Sequence, residues 1–269
     1  MRSILNLDVR RRLAPLACAL TLLGAIAASP ARAEEAPVIV AAADLKFALT
    51  EVAQHLREET GQAVKLTFGS SGNFFTQIEH GAPFQVFLSA DEGYVAKLSA
   101  RGLTRDEGAL YAVGRIVVFA PTGSSLKVDG ALAGLGAALG EGRISRFAIA
   151  NPEHAPYGRA AREALKAAGL WSRIEPSLVL GENAGQAMQF ATSGSTEGGI
   201  VPLSLVLAPE LANRGTWALL PESLHAPLRQ RMVLLKGAGA AADAFYDYVQ
   251  TPAARAILER YGFVLPASN

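Results

Sequence analysis

Two short turns carry the side chains best suited to chemistry in this 269-residue chain. One is Ala41-Ala42-Ala43-Asp44-Leu45, the other Gly69-Ser70-Ser71-Gly72, and each lies between an apolar strand-like run and a helix-like run. A helix start leaves N–H groups without intrahelical acceptors, and the helix dipole adds positive potential there, so such turns attract compact anions. Ser70 and Ser71 add hydroxyl donors, and Gly69 and Gly72 let a ligand approach the backbone closely. Two further turns have the same layout. In Asn151–Gly158 two prolines stiffen a loop that delivers Tyr157 to a helix start, and Gly181-Glu182-Asn183-Ala184 opens a helix after another short strand. Plain capping by Ser70 or Asn183, and a Pro-rich surface turn around Tyr157, explain the same residues with no ligand at all. Asp44 also resists the anion reading, since an ionised carboxylate offers no donor.

Other chemistries find little footing. The histidines, 55, 80, 154 and 225, show no metal-ligand spacing, and the single cysteine is Cys18, so no zinc site is expected. No G-x-S-x-G elbow is present, and no nucleophile with its base can be nominated. The reading is therefore of a protein that is not an enzyme and has neither cofactor nor metal ligands.

Arg2, Arg10, Arg11 and Arg12, an apolar run from Leu13 to Ala28 and the Ala31-Arg32-Ala33 signal together predict a secretory leader, residues 1–33, removed before Glu34. Cys18 precedes most of the apolar run, the wrong order for a lipid anchor. Without those residues the formal charge falls from +1 to about −3. No basic patch is present to recruit nucleic acid or a membrane surface. A soluble exported protein follows, with the periplasm as its expected location.

The elements that position the turns alternate strand and helix. Val38–Ala42, Val64–Phe68 and Gln85–Leu88 read as strands; Leu45–Thr60, Asn73–His80 and Asp91–Arg101 read as helices. A second series runs from Arg115–Ala120 through Phe147–Ala150, Leu178–Leu180 and Gly199–Val201, with helices at Tyr157–Ala168 and Ala184–Ser193. Such βα alternation predicts mostly parallel sheets flanked by helices. Two series without a linker predict two lobes: residues 34–115 with 231–269, and residues 116–230. The cleft between them is the natural ligand site.

With all the turns in view, the chain resembles the periplasmic molybdate-binding proteins of ABC importers from about Val38 to Phe263. Alongside the Ala41–Leu45 turn, the segments that carry the resemblance are FGSSGNFFTQI at Phe68–Ile78, GAPFQVFLSAD at Gly81–Asp91, NPEHAPYG at Asn151–Gly158, GENAGQA at Gly181–Ala187 and TPAARAILERYGF at Thr251–Phe263. The resemblance implies a two-lobed, type II-like binding-protein fold that closes over molybdate or tungstate. It also implies a membrane permease as partner and a monomeric receptor. By motif it assigns ligand contacts to Asp44, Ser71, Tyr157 and the Ala184 N–H, with Ala43, Ser70 and Asn183 in support. Where some relatives place a tyrosine, this chain has Pro202, which has neither hydroxyl nor N–H.

Asp44 departs from the family pattern, which usually has Ser or Asn there. Two unit charges about 4 Å apart interact by roughly 4 kcal/mol at an effective dielectric near 20, and by about twice that against a dianion. Micromolar binding is worth only about 8 kcal/mol. Asp44 must therefore turn back as the N-cap of the helix opening at Leu45, be protonated when ligand binds, or accept a proton that the ligand carries. The N-cap is the preferred expectation. The third outcome would make the ligand phosphate- or arsenate-like, and a remote alternative is an exported hydrolase using Asp44 and Tyr157.

Overall fold

The structure is a computed structural model, and it describes residues 35–267. The expected leader lies outside the described residues. Among those described, no helix is long and apolar enough to cross a membrane.

The chain opens with β1 (Val38–Ala42), α1 (Lys46–Thr60), β2 (Lys65–Gly69), α2 (Ser71–Glu79), β3 (Val86–Ser89), α3 (Glu92–Ala100) and β4 (Ala109–Gly114). The second series is β5 (Ile116–Pro121), α4 (Ala133–Gly140), β6 (Phe147–Ala150), α5 (Pro156–Ala167), α6 (Trp171–Ile174), β7 (Leu178–Gly181), α7 (Ala184–Thr192), β8 (Gly198–Pro202), α8 (Leu203–Val206) and β9 (Gly215–Leu219). Strand β10 (Leu228–Leu234) returns to the first sheet, and α9 (Ala240–Val249) and α10 (Pro252–Arg260) follow it.

Two five-stranded sheets result, ordered β2-β1-β3-β10-β4 and β7-β6-β8-β5-β9. Each has a parallel trio, as βα alternation demands, but each is completed by two antiparallel pairings, so both sheets are mixed. The extra strands are the ones that carry the chain between the lobes: β4 runs into β5 through Gly114 and Arg115, and β9 leads to β10. Strands β4 and β9 and helix α4 have no counterpart in the sequence reading.

Helices cover both faces of each sheet. Leu45, Leu49, Met232, Phe245 and Leu258 pack on one face of the first sheet, while Phe74, Phe87, Val95 and Leu98 pack on the other. In the second sheet Ile116, Phe147, Leu165 and Leu170 face Leu135 and Ala138 of α4, and Phe119, Met188 and Val201 lie on the opposite side. Full burial of each such side chain contributes about 1.5–3 kcal/mol, which holds the strand ends in fixed register.

That register matters for the turns. Ala42 pairs with Gly69, so β1 and β2 end level and their turns leave the sheet side by side. Ala150 pairs with Gly181, which does the same for β6 and β7. All four turns thus emerge from carboxyl ends of parallel strands, where open α/β sheets take their ligands.

Candidate functional site

The first turn is not built as expected. After β1 a single 3₁₀ turn, Ala43–Leu45, leads into α1, whose N-cap is Leu45 with no side-chain capping bond. The Asp44 carboxyl, 1% exposed, leaves its own helix and crosses to the other elements. Its Oδ2 accepts from the Tyr157 hydroxyl of α5 at 2.8 Å and from Gln230 Nε2 of β10 at 2.7 Å. The N-cap expectation for Asp44 is thereby corrected. A 3₁₀ turn sets the helix start one residue later than a capping aspartate needs, and two donors from outside α1 claim the carboxyl.

These contacts belong to a buried chain of polar groups. Tyr111 of β4 donates to Gln230 Oε1 at 2.7 Å, and Gln230 Nε2 also lies 3.0 Å from the Tyr157 oxygen. Ser204 of α8 donates to the Asp44 carbonyl at 2.8 Å. Oδ1 of Asp44 is buried with no partner outside its own residue. Burial pushes the Asp44 carboxyl up to about 6, against the opposing pull of the Gln230, Tyr157 and own-backbone bonds. Burial and the nearby Asp44 charge hold Tyr157 and Tyr111 well above the ordinary tyrosine value, so both remain neutral donors.

Gly114 makes this packing possible. A Cβ there would stand 2.1 Å from the Tyr157 oxygen and 2.7 Å from Gln230 Nε2. The point where the chain first crosses between lobes must therefore be glycine for the two donors to reach Asp44.

The second turn is drawn to the Asn151–Gly158 loop. Ser70 donates through Oγ to the His154 carbonyl at 2.6 Å, and the Gly72 N–H donates to the same oxygen at 3.0 Å. This contact explains why α2 begins at Ser71, two residues ahead of the predicted start: the carbonyl supplies an acceptor that the Gly72 N–H cannot find in sequence. Ser71 is fully buried, and its Oγ accepts from the Ala90 N–H at 3.0 Å, which leaves the hydroxyl proton free to donate elsewhere. His154 Nδ1 lies 3.0 Å from Ser70 Oγ.

In the fourth turn Asn183 caps α7, its Oδ1 accepting from the Gln186 N–H at 3.0 Å. Ala184 is the first residue of that helix and is buried. The helix start abuts the first turn, for a Cβ on Gly185 would lie 3.6 Å from the Cβ of Ala43. Glu182 accepts from Asn73 Nδ2, and Arg159 of α5 pairs with Asp91, so polar contacts also join the lobes at the rim.

Of the residues singled out in the sequence, Asp44 and Tyr157 are in direct contact, Ala43 adjoins the start of α7, and Ser70 is engaged by His154. Ser71 and Ala184 are the first residues of α2 and α7. Sequence reasoning missed Gln230, Tyr111, Ser204 and Gly114. One signal for Gln230 was available: β10 alternates, with Arg229 exposed and Leu228, Gln230 and Met232 buried, so a glutamine falls on the inward side of a strand. Nothing in the sequence around Tyr111 or Ser204 points to the cleft. Among the described residues, no group of three or more His, Cys, Asp or Glu could hold a metal ion.

Residues 37–264 match the family described as bacterial extracellular solute-binding protein. The chain is 36% identical over 240 residues to the molybdate-binding protein ModA of Rhodobacter capsulatus, covering 88% of this chain and 91% of that protein. It is also 36% identical over 247 residues to ModA of Azotobacter vinelandii, covering 90% and 95%. The solved structure of the Azotobacter vinelandii periplasmic molybdate-binding protein superposes with a TM-score of 0.78 at 30% identity, over 86% of this chain and 99% of that one.

Proposed function

This chain belongs to the bacterial extracellular solute-binding protein family, and from that premise we propose that it captures a tetrahedral oxyanion, molybdate or tungstate, in the periplasm for an ABC importer. It delivers the ion unchanged to the importer's membrane permease and performs no chemistry on it. The proposed contacts are the carboxyl of Asp44, the hydroxyl and N–H of Ser71, and the N–H groups of Tyr157 and Ala184, with Ala43, Ser70 and Asn183 in support; the one Tyr157 hydroxyl proton is held by Asp44. No side chain coordinates the metal atom itself.

One observation carries the reading. Turns at the strand ends of both lobes meet directly: Tyr157 reaches Asp44 at 2.8 Å, and the start of α7 meets Ala43. Fixed N–H and O–H donors around a small closed space select an anion by size, because a donor left unfilled in a closed site costs about 1–3 kcal/mol. The names of the relatives favour molybdate among tetrahedral anions.

Asp44 supports a second reading, a receptor for an oxyanion that carries its own proton, such as hydrogen phosphate. Calorimetric titration of the protein with molybdate, tungstate, sulfate and phosphate separates the two. Tight 1:1 binding of molybdate and tungstate, with sulfate and phosphate silent, is the expected result. Heat from phosphate alone would transfer the function to the second reading, and silence from all four would remove both.

A further inference from the structure

We propose that Asp44 binds the oxyanion as a neutral carboxylic acid, donating its proton through Oδ1, so that this chain takes up one proton with each ion it captures. The inference rests on the receptor reading and adds the selectivity of that same site.

The geometry fixes where the proton goes. Oδ2 accepts two hydrogen bonds, from Tyr157 and Gln230. Neither donor can reverse its role cheaply. Gln230 already uses Oε1 to accept from Tyr111 and has only amide hydrogens left to offer, and a tyrosine in contact with a buried carboxyl stays protonated. A proton on the Asp44 carboxyl therefore resides on Oδ1. That atom is buried and has no partner outside its own residue, and an unpartnered buried polar group is costly. As a donor it needs an acceptor, and the ligand class proposed for this cleft consists of acceptors. As a bare anion it would instead face a dianion in a site of low dielectric.

The neighbouring groups do not compensate a negative charge. Tyr157 from α5, Tyr111 from β4, Gln230 from β10 and Ser204 from α8 are all neutral. Lys46, two residues further along the chain, is exposed and lies over the Phe47 ring. Glu182, just ahead of α7, is engaged by Asn73 and lies 3.7 Å from His154 Nε2. The ring of His154 bonds Ser70 rather than Asp44. The raised pKa of Asp44, about 6, agrees with a proton available for uptake near neutral pH.

The test is calorimetric titration with micromolar molybdate at pH 5.5, 6.5, 7.5 and 8.5, in pairs of buffers that differ in ionisation enthalpy, so that protons are counted directly. The expected result is one proton taken up per molybdate at pH 7.5 and above. Affinity then falls about tenfold per pH unit above the carboxyl's transition. In Asp44→Asn the amide supplies a permanent donor; proton uptake disappears and the affinity at pH 7.5 rises to at least that of the native protein at pH 5.5. In His154→Gln the uptake persists. Molybdate binding with no proton exchanged, or uptake that survives Asp44→Asn and vanishes in His154→Gln, overturns the inference and leaves the receptor reading intact. Absence of binding by any oxyanion at any pH overturns the receptor reading, and this inference with it.

Discussion

Both lobes run a parallel trio of strands into helices, and in both the first two strands of the trio end level, Ala42 with Gly69 and Ala150 with Gly181. The backbone device is the same twice over, yet the groups brought to the cleft differ. The first lobe contributes side-chain oxygens from Asp44, Ser70 and Ser71. The second contributes a phenol from Tyr157, a carbonyl from His154 and a helix start at Ala184. The repeated part supplies dipoles and open N–H groups that suit any compact anion. Selectivity has to come from the part that is not repeated, and Asp44 with its partners is where the two lobes differ most in chemistry.

Disabling the crossing point that serves both lobes carries the largest expected effect. Gly114→Val places carbon against the Tyr157 oxygen and Gln230 Nε2, so both donors must withdraw from Asp44. Oxyanion affinity should fall by at least a hundredfold in calorimetry, with the fold retained by circular dichroism. Affinity within tenfold of the native value would mean that the Tyr157–Asp44 contact is dispensable.

A smaller effect comes from the second lobe alone. Tyr157→Phe removes a donor to a buried carboxyl and should cost about 1–3 kcal/mol of binding, or roughly ten- to a hundredfold in affinity. The matching change at the lobe junction is Gln230→Leu. It strips one donor from Asp44 and leaves the Tyr111 hydroxyl without its acceptor, so thermal or urea unfolding should show a loss of about 1–3 kcal/mol. If Tyr157→Phe and Gln230→Leu prove additive, the two donors act independently rather than through Asp44.

The pH dependence of stability sharpens the contrast further. In the fold the Asp44 carboxyl titrates at about 6 rather than its ordinary 3.8, so between those values the native state holds a proton that the unfolded chain has lost. The contribution is full below the lower value and disappears as pH rises through the upper one, amounting to about 3 kcal/mol. Asp129 and Glu197 in the second lobe run the other way: against burial, which pushes them up, backbone N–H bonds, with the Ser145 hydroxyl at Glu197, hold their carboxyls below the ordinary value, so each stabilises above its unfolded pKa and loses that as pH falls. Comparison of urea midpoints for native protein and Asp44→Asn from pH 4 to 7 isolates the first effect. The difference between them should change with pH in the direction given, and parallel curves would mean that Asp44 is not the group responsible.

The smallest effect is expected at Ser204→Ala, which deletes one bond to the Asp44 carbonyl. A loss of about 1 kcal/mol in unfolding free energy fits a positioning role, with proton uptake unchanged.

How much of this was readable from the residues follows the same division. The alternation of apolar runs and amphipathic stretches announced the parallel trios and the turns at their ends, because period and turn chemistry are local. Strand β4 was not legible, since Ala109–Gly114 gains its meaning from pairing with β10, more than a hundred residues away. Likewise β9 is an edge strand beside β5, with Trp217 and Leu219 exposed, and it lacks the continuous apolar run of a buried strand. Asp44 was visible as a misfit, but its orientation depended on Tyr157, 113 residues on, and Gln230, 186 residues on. No local pattern encodes such a meeting.

The most direct test of the account is a crystal structure of the protein grown with tungstate, whose heavy atom is located by its anomalous signal. The account predicts one peak in the cleft, within contact of Ser71, Tyr157, the Ala184 N–H and Oδ1 of Asp44. A peak elsewhere, or a cleft that remains closed on itself with tungstate bound outside it, would contradict it.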